Sequence, residues 1–218
     1  MNLELDHLFI LCAGGGPEAE LLLDSGFTEA ASNRHPGQGT SNRLFVFDNF
    51  KLELMWVDVP EEARSELVRP LHLWERWQQR ESAACPFGIC LRSVANGKNT
   101  RLPFSHWQYM PSYLPSHLSI EMGANADNLN EPLVFKTPFA YMPDVLRQAH
   151  RNGCKKLTAL HVGMHSSNAA SPVLNYVAKL PNVSLSNGER YTIELIFDDA
   201  AQGLHKDFFP QLPLIIRY

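Results

Sequence analysis

The sequence predicts an α+β protein, and three observations support this class. The first 58 residues alternate as strand, helix and three strands, which makes a β-α-β-β-β unit. Apolar residues make up 44 % and charged residues 19 % of the 218 positions, a balance typical of globular chains. Two segments, FKLELMWVD at 50–58 and YTIELIFDD at 191–199, share an aromatic start, a central Glu and an acidic end. We therefore expect two related units in one compact domain.

The first unit is predicted over residues 1–58. Leu3 to Leu11 is apolar on both faces, which is typical of a strand buried on both sides. Pro17 then begins a helix that Gly26 ends. The three further strands are predicted at 27–31, 42–47 and 50–57, and the polar pair at 48–49 makes the tight turn between the last two.

The remainder is predicted as a helical connector and a second, irregular half. The connector covers 59–84 and is divided by Pro70, because a proline inside a helix removes a hydrogen bond. The second half covers 85–218, with strands at 87–93, 116–122 and 157–164 and helices over 143–152 and 172–180. Two more strands are predicted to end near residue 198.

Charge and composition exclude several classes of partner. Lys plus Arg is 19 and Asp plus Glu is 23, so the net charge of −4 argues against binding to nucleic acid or anionic membranes. The longest apolar run, residues 8–13, is far shorter than the roughly 20 residues that span a bilayer. The start of the chain does not read as a signal peptide, and the four cysteines form no C-x-x-C pair. We therefore expect a cytoplasmic protein with reduced thiols.

The most informative polar residues are His7 and Glu53, which lie inside apolar strands of the first unit. Burying even a neutral polar group without a partner costs on the order of 2–7 kcal/mol, so each needs a hydrogen bond, a counter-charge or a metal ion. Ligands on different strands are able to converge on one ion. The alternative is that His7 is a core histidine with satisfied hydrogen bonds and that Glu53 pairs with an arginine.

Three further residues are candidates to complete a site around His7 and Glu53. His117 and Glu121 fall on one face of the strand predicted at 116–122, about 13 Å apart at the usual strand rise. Glu194 takes the place of Glu53 in the repeated segment. The alternative for His117 is a solvated surface. His161 and His165 have the spacing of zinc ligands on a helix, but they lie where a predicted strand enters a glycine-containing loop, and no HExxH motif accompanies them, so we interpret them as structural.

The segment RHPGQGTSNR at 34–43 is the densest polar cluster in the chain. Its His35, Asn42 and Arg43 offer donors and acceptors to a small ligand, and Arg43 has the fork that clamps carboxylates or phosphates. The alternative is a loop that closes one end of the sheet. The sequence contains no P-loop, no G-x-G-x-x-G and no G-x-S-x-G, so we expect neither a nucleotide cofactor nor acyl-enzyme chemistry.

Several of these segments resemble the glyoxalase-like branch of the vicinal oxygen chelate superfamily. The resemblance covers LDHLFIL at 5–11, RHPGQGTSNRLFVF at 34–47 and KLELMWV at 51–57, and it is looser over 71–125. It implies paired β-α-β-β-β modules that form a cupped mixed sheet, with a truncated second module. It also implies metal ligands on the first and fourth strands of each module, here His7 and Glu53, with Glu121 or Glu194 from the second.

The resemblance implies a divalent-metal-dependent enzyme, of the lyase, isomerase or dioxygenase type, acting on a small oxygen-rich substrate. His7, Glu53, Glu121 and Glu194 are the candidate metal ligands, and zinc, manganese, nickel and iron(II) all suit such a set. Glu53 and Glu121 are the candidate proton shuttles, and His35, Asn42, Arg43 and His117 the candidate substrate contacts. The alternative is a metal-free protein that binds or sequesters a small molecule in the same cup. Monomer and homodimer both remain open.

Overall fold

The structure is a computed structural model that describes residues 2–94, 100–139, 148–165 and 170–218. Within these ranges it is a mixed α+β protein with one long, curled mixed sheet, a second smaller sheet and few helices. The coarse prediction of an α+β class with a cupped mixed sheet is confirmed.

The long sheet has eight strands in the order β2-β3-β4-β1-β5-β8-β7-β6. In chain order these strands are β1 Leu3–Leu11, β2 Asn33–His35, β3 Thr40–Val46, β4 Lys51–Val57, β5 Phe87–Ser93, β6 His106–Tyr109, β7 Ile120–Gly123 and β8 Leu133–Lys136.

The two halves of the long sheet have the same strand order and directions. In the first half β1 lies parallel to β4, and β3 and β2 follow antiparallel. In the second half β5 lies parallel to β8, and β7 and β6 follow antiparallel. The halves meet where β1 pairs antiparallel with β5. The strands of the second half therefore all lie between residues 87 and 136.

The smaller sheet has five strands in the order β10-β9-β11-β13-β12. These strands are β9 Leu157–His165, β10 Val183–Gly188, β11 Thr192–Phe197, β12 His205–Asp207 and β13 Leu214–Arg217. Its buried face packs on the back of the long sheet. This core joins Val162, Leu195 and Ile216 of the small sheet to Leu8 and Leu54 of the long one. The region predicted as one half over 85–218 is thus divided between two sheets.

The helices are short. They are α1 Ala19–Asp24, α2 Pro60–Ala63, α3 Leu73–Gln78 and α4 Pro172–Val177, with 3₁₀ turns at Arg69–Leu71, Ala124–Asp127 and Asp198–Ala200. Ser171 caps α4 by accepting a hydrogen bond from the Leu174 N–H. None of the helices in the described ranges has the length and apolar character needed to span a bilayer.

Several predicted elements are confirmed and others are wrong. The strands predicted at 3–11 and 87–93 are found with those bounds. The strand predicted at 27–31 is wrong, and β2 lies further along. The strand predicted at 116–122 begins only at Ile120, because the chain before it forms a loop. Residues 143–147 of the helix predicted over 143–152 lie outside the described residues, and residues 148–152 are not helical.

The predicted repeat pairs the wrong strands. The segment 50–58 contains β4, which lies parallel to β1, whereas 191–199 contains β11, which lies antiparallel to β9 in the other sheet. Both strands carry a Glu between aliphatic residues because both bury one face, and this pattern does not specify the neighbouring strand. The strand that corresponds to β4 in the second half is β8.

Candidate functional site

A bulge in β1 turns two neighbouring polar side chains toward the same face of the sheet. The pairing of β1 with β5 shifts register between Leu5 and His7, so Asp6 is an extra residue in the ladder. Leu3 and Leu8 both belong to the core between the sheets, although regular alternation would place them on opposite faces. The bulge therefore allows Asp6 and His7 together to line a cavity on the concave face.

This cavity has a volume of about 220 Å³ and is bounded by both halves of the long sheet. Most of its wall is apolar; these residues are Phe9, Met55, Leu71, Leu73, Leu114, Ile120, Met122, Leu133, Phe135 and Phe139. We call Asp6, His7, Lys51 and Glu53, which also line it, the polar cluster. A mostly apolar pocket with a few convergent polar groups is the usual form of a small-molecule site.

Asp6 is the centre of the polar cluster. Its carboxylate accepts a hydrogen bond from His7 Nδ1 at 2.6 Å and lies 3.1 Å from Lys51 Nζ. Its other oxygen accepts from Arg92 at 3.1 Å, and Arg92 also bonds Glu4 at 2.8 Å. Burial alone would raise the pKa of Asp6, but the bonds and charges of His7 and Lys51 hold that pKa well below its usual range. Asp6 is therefore an ionised, fully engaged group.

His7 presents its second nitrogen to a different carboxylate. Since Nδ1 faces Asp6, Nε2 is the nitrogen that approaches Glu53 Oε1, at 3.8 Å. The imidazole also meets the Phe135 ring edge-on, with centroids 5.5 Å apart. Burial lowers the pKa of His7, but the nearby Cys90, Glu53 and Asp6 outweigh burial and raise that pKa above its usual range. The ring is thus held in one orientation by a carboxylate behind it.

Cys90 lies beside the polar cluster but inside the sheet. It is directly opposite His7 in the β1–β5 pairing, and its side chain is fully buried. Single ligand atoms of Asp6, His7 and Cys90 lie within 4.8 Å of one another. The thiol donates weakly to the Leu91 carbonyl at 3.5 Å.

The structure brings His35 to the same cavity, as part of a contact between opposite edges of the long sheet. His35 lies against Tyr113 with ring centroids 5.1 Å apart, and burial lowers its pKa. The Tyr113 hydroxyl donates to Gln38 Oε1, and Ser112 Oγ donates to the Pro36 carbonyl at 2.9 Å. The loop 110–119, which joins β6 to β7, thus closes over the cup onto the β2–β3 turn.

Two residues of the polar segment 34–43 lie elsewhere. The Arg43 fork is already occupied, because it bonds Glu29 at 2.5 Å and Glu20 at 2.7 Å on the far side of the sheet. The buried Asn42 accepts a hydrogen bond from the Asn33 N–H and so fixes the β2–β3 hairpin. Neither residue lines the cavity, so the structure does not place them as substrate contacts.

The remaining predicted site residues are not brought to the cavity. Ile120 and Met122 line it, so Glu121 between them faces the other side of β7, where it accepts from the Leu102 N–H at 2.8 Å. His117 is exposed in the loop 110–119. Glu194 lies in the smaller sheet and pairs with Arg217. The candidate ligand set therefore reduces to His7 and Glu53 on geometric grounds.

Three polar members of this region are not predicted from the sequence: Asp6, Lys51 and Cys90. A strict two-residue alternation places the side chains of Asp6 and His7 on opposite faces of the strand, and only the bulge brings them to the same face. Lys51 begins a strand, where a lysine is usually solvated. Its pairing with His7 in the β1–β4 ladder is visible only in the fold.

Comparison with known proteins shows a shared fold. No family model matches the chain, and no curated protein matches it. The structure resembles a hypothetical protein from Staphylococcus aureus, with a TM-score of 0.54 and 12 % identity over 99 % of this chain and 98 % of that one. It also aligns with a hypothetical protein from Bacillus halodurans C-125, with a TM-score of 0.43 and 14 % identity over 65 % of this chain and 98 % of that one.

Proposed function

We propose that the chain is a glyoxalase-like enzyme of the vicinal oxygen chelate type, which uses a divalent metal ion to act on a small oxygen-rich substrate. The observation that carries this proposal is the approach of His7 Nε2 to Glu53 Oε1 at 3.8 Å in a cavity. Both residues lie on the first and fourth strands of the first half, where the resemblance implies ligands. The repeated strand order of the long sheet supports the same assignment.

His7 and Glu53 supply two of the three protein donors that a catalytic metal site usually has. Two donors about 2.0 Å from a tetrahedral ion lie about 3.3 Å apart, so the observed 3.8 Å needs an adjustment of about 0.5 Å. The bond from His7 Nδ1 to Asp6 is the support that metal-bound histidines usually have. Asp6 itself is engaged by His7, Lys51 and Arg92, so it orients the imidazole and leaves coordination to Glu53.

The roles of the chain's own residues follow from these contacts. His7 and Glu53 would hold the ion, which when bound supplies Lewis-acid polarisation of a substrate oxygen. Glu53 is also the carboxylate within the cavity that is placed to take up or return a proton. An apolar wall and residues Tyr113 and Leu114 of the loop 110–119 line the cavity around these groups.

The test is elemental analysis of protein purified without chelator or affinity-tag metal. We expect close to one equivalent of zinc, manganese, nickel or iron in the wild type, and loss of that metal in H7Q and E53Q. E121Q and E194Q are matched controls that keep the metal, because these glutamates lie away from the cavity. An absence of metal from the wild type, even after incubation with each of the four ions, contradicts the proposal.

A second candidate is a metal-free binding protein. It is favoured by Lys51, whose ammonium lies 3.1 Å from Asp6 in the cavity and already balances one carboxylate. The predominance of apolar side chains in the wall suits capture of a hydrophobic compound. This candidate predicts ligand-induced thermal stabilisation that is unchanged by chelator and unchanged in E53Q.

A further inference from the structure

Lys51 lines the candidate site without a role in the metal proposal. It is paired with His7 in the β1–β4 ladder, and its side chain is one-quarter exposed. An ammonium group has three N–H donors. Asp6, at 3.1 Å, takes one of them. The same ammonium group carries two further donors, and Lys51 lines the cavity.

The charges of the polar cluster favour an anionic ligand once an ion is present. Asp6 and Glu53 each contribute one negative charge and Lys51 one positive charge. A histidine that binds a metal does so as the neutral imidazole. With a divalent ion, the cluster therefore carries a formal charge of +1. Arg92 and Glu4 behind Asp6 form a pair of opposite charges at 2.8 Å, so they leave this sum unchanged. A ligand with one negative charge neutralises the cluster.

The rest of the cavity favours an apolar body attached to that anion. Phe9, Phe135 and Met55 lie on the same face of the sheet as the polar cluster, and Ile120 and Met122 complete the wall. A dry apolar cavity of about 150 Å³ holds a benzene molecule. The 220 Å³ here therefore suits a phenyl ring or a chain of about six carbons with a small polar head.

From these contacts we propose that the substrate is a monocarboxylate with a compact apolar body, and that Lys51 is the residue that binds its carboxylate. The proposal rests on the proposed function, because the excess positive charge requires the divalent ion. Lys51 is a specificity-determining residue in this scheme: it selects the charged acid over a neutral analogue of the same shape.

The test compares hexanoate with hexanamide, which has nearly the same shape and no charge, by calorimetry on the metal-loaded wild type. We expect hexanoate to bind at least tenfold more tightly, which corresponds to about 1.4 kcal/mol. K51M is expected to lose most of this preference, and K155M, which changes an exposed lysine, is expected to keep it. Urea unfolding of each variant verifies that it is folded, and K51Q replaces K51M if the latter is not.

The outcomes separate this inference from the proposed function. Equal binding of acid and amide by metal-loaded wild type, or an unchanged preference in K51M, overturns the role of Lys51 and leaves the metal site standing. A preference that depends on Lys51 in protein that binds no metal overturns the metal proposal and the charge balance built on it, and it supports only the contact between Lys51 and the carboxylate. Absence of both metal and preference overturns both. The wild-type comparison needs no variant, so the inference is testable even if neither Lys51 variant folds.

Discussion

Removing the charge of Asp6 is the most direct test of the described site. The D6N substitution keeps the shape of the side chain but replaces the acceptor of three cationic or potentially cationic groups: His7, Lys51 and Arg92. Asp6 is only 3 % exposed, so water does not replace the lost interactions. The variant therefore leaves positive groups in the interior without their common partner.

The expected cost is about 3–5 kcal/mol of unfolding free energy, the usual effect of removing one partner of a buried ion pair. This is a large part of the roughly 5–15 kcal/mol that stabilises a typical domain. This loss of unfolding free energy is largest where Asp6 is ionised and His7 is protonated, and it becomes smaller at lower and at higher pH. Because the folded pKa of Asp6 is lowered, its contribution is complete above its ordinary value of 3.8 and is lost as the pH falls through the folded pKa. Because the folded pKa of His7 is raised, its contribution is complete below 6.5 and is lost as the pH rises through the folded pKa.

Urea unfolding of the metal-free protein at pH 5.5, between those two ordinary values, is therefore the decisive assay. D6N is expected to unfold at much lower urea than the wild type, and the difference is expected to shrink toward strongly acidic or alkaline pH. D24N is the matched control, since Asp24 is exposed and its change is expected to stay within about 0.5 kcal/mol. A cost of less than about 1 kcal/mol for D6N at pH 5.5 refutes the argument that Asp6 holds the cluster together.

Three other substitutions have definite expected results. A Cβ on Gly88 falls 2.0 Å from Phe9 Cε1, so G88A must push that ring into the cavity. We expect G88A to lose about 1–3 kcal/mol of unfolding free energy in urea and to bind hexanoate more weakly. The control G14A, which has open space around its Cβ, is expected to have little effect. Arg76 donates to the carbonyls of Ala126, Asn128 and Glu131, so R76M leaves these buried acceptors unpaired. We expect a very low yield of soluble R76M and no recovery in R76K, because lysine lacks the planar fork of arginine. A normal yield of R76M contradicts this reasoning. His150 accepts a hydrogen bond from the Thr28 N–H at 2.9 Å, and burial lowers its pKa, so it stabilises the fold fully above pH 6.5 and less as the pH falls. Between pH 7 and pH 5 the Tm of the wild type should therefore drop more than the Tm of H150Q. Equal drops count against this assignment.

The sequence predicted the first half of the fold more accurately than the second for physical reasons. Strands β1 and β4 have nine and seven residues and are mostly apolar, so their hydrophobic pattern is long enough to identify them. In residues 100–139 the strands β6, β7 and β8 have four residues each, too few to establish a period. Their pairing is decided by the tertiary fold, so the sequence alone leaves open whether β5 or β9 corresponds to β1 in the second half.

The candidate site was predicted in part. His7 and Glu53 were found because a charged or titratable side chain in an apolar strand demands a partner. Glu121 was expected at the site, but it lies on the other face of β7, because Ile120 and Met122 face the cavity. In so short a strand, the tertiary fold decides which face is turned toward the site. Asp6 and Lys51 were missed because one depends on a bulge and the other on strand pairing, and neither feature leaves a mark in residue type or spacing.

The bulge in β1 means that this strand holds one residue more than its ladder requires. Without Asp6, Leu5 and Leu8 would follow the same alternation on either side of His7, and the strand would pair with β5 without interruption. The extra residue therefore adds nothing to the regular architecture of the sheet. What it contributes is a fixed negative charge next to His7, so the charge of the cup is carried by a residue that the regular pairing of the strands does not require.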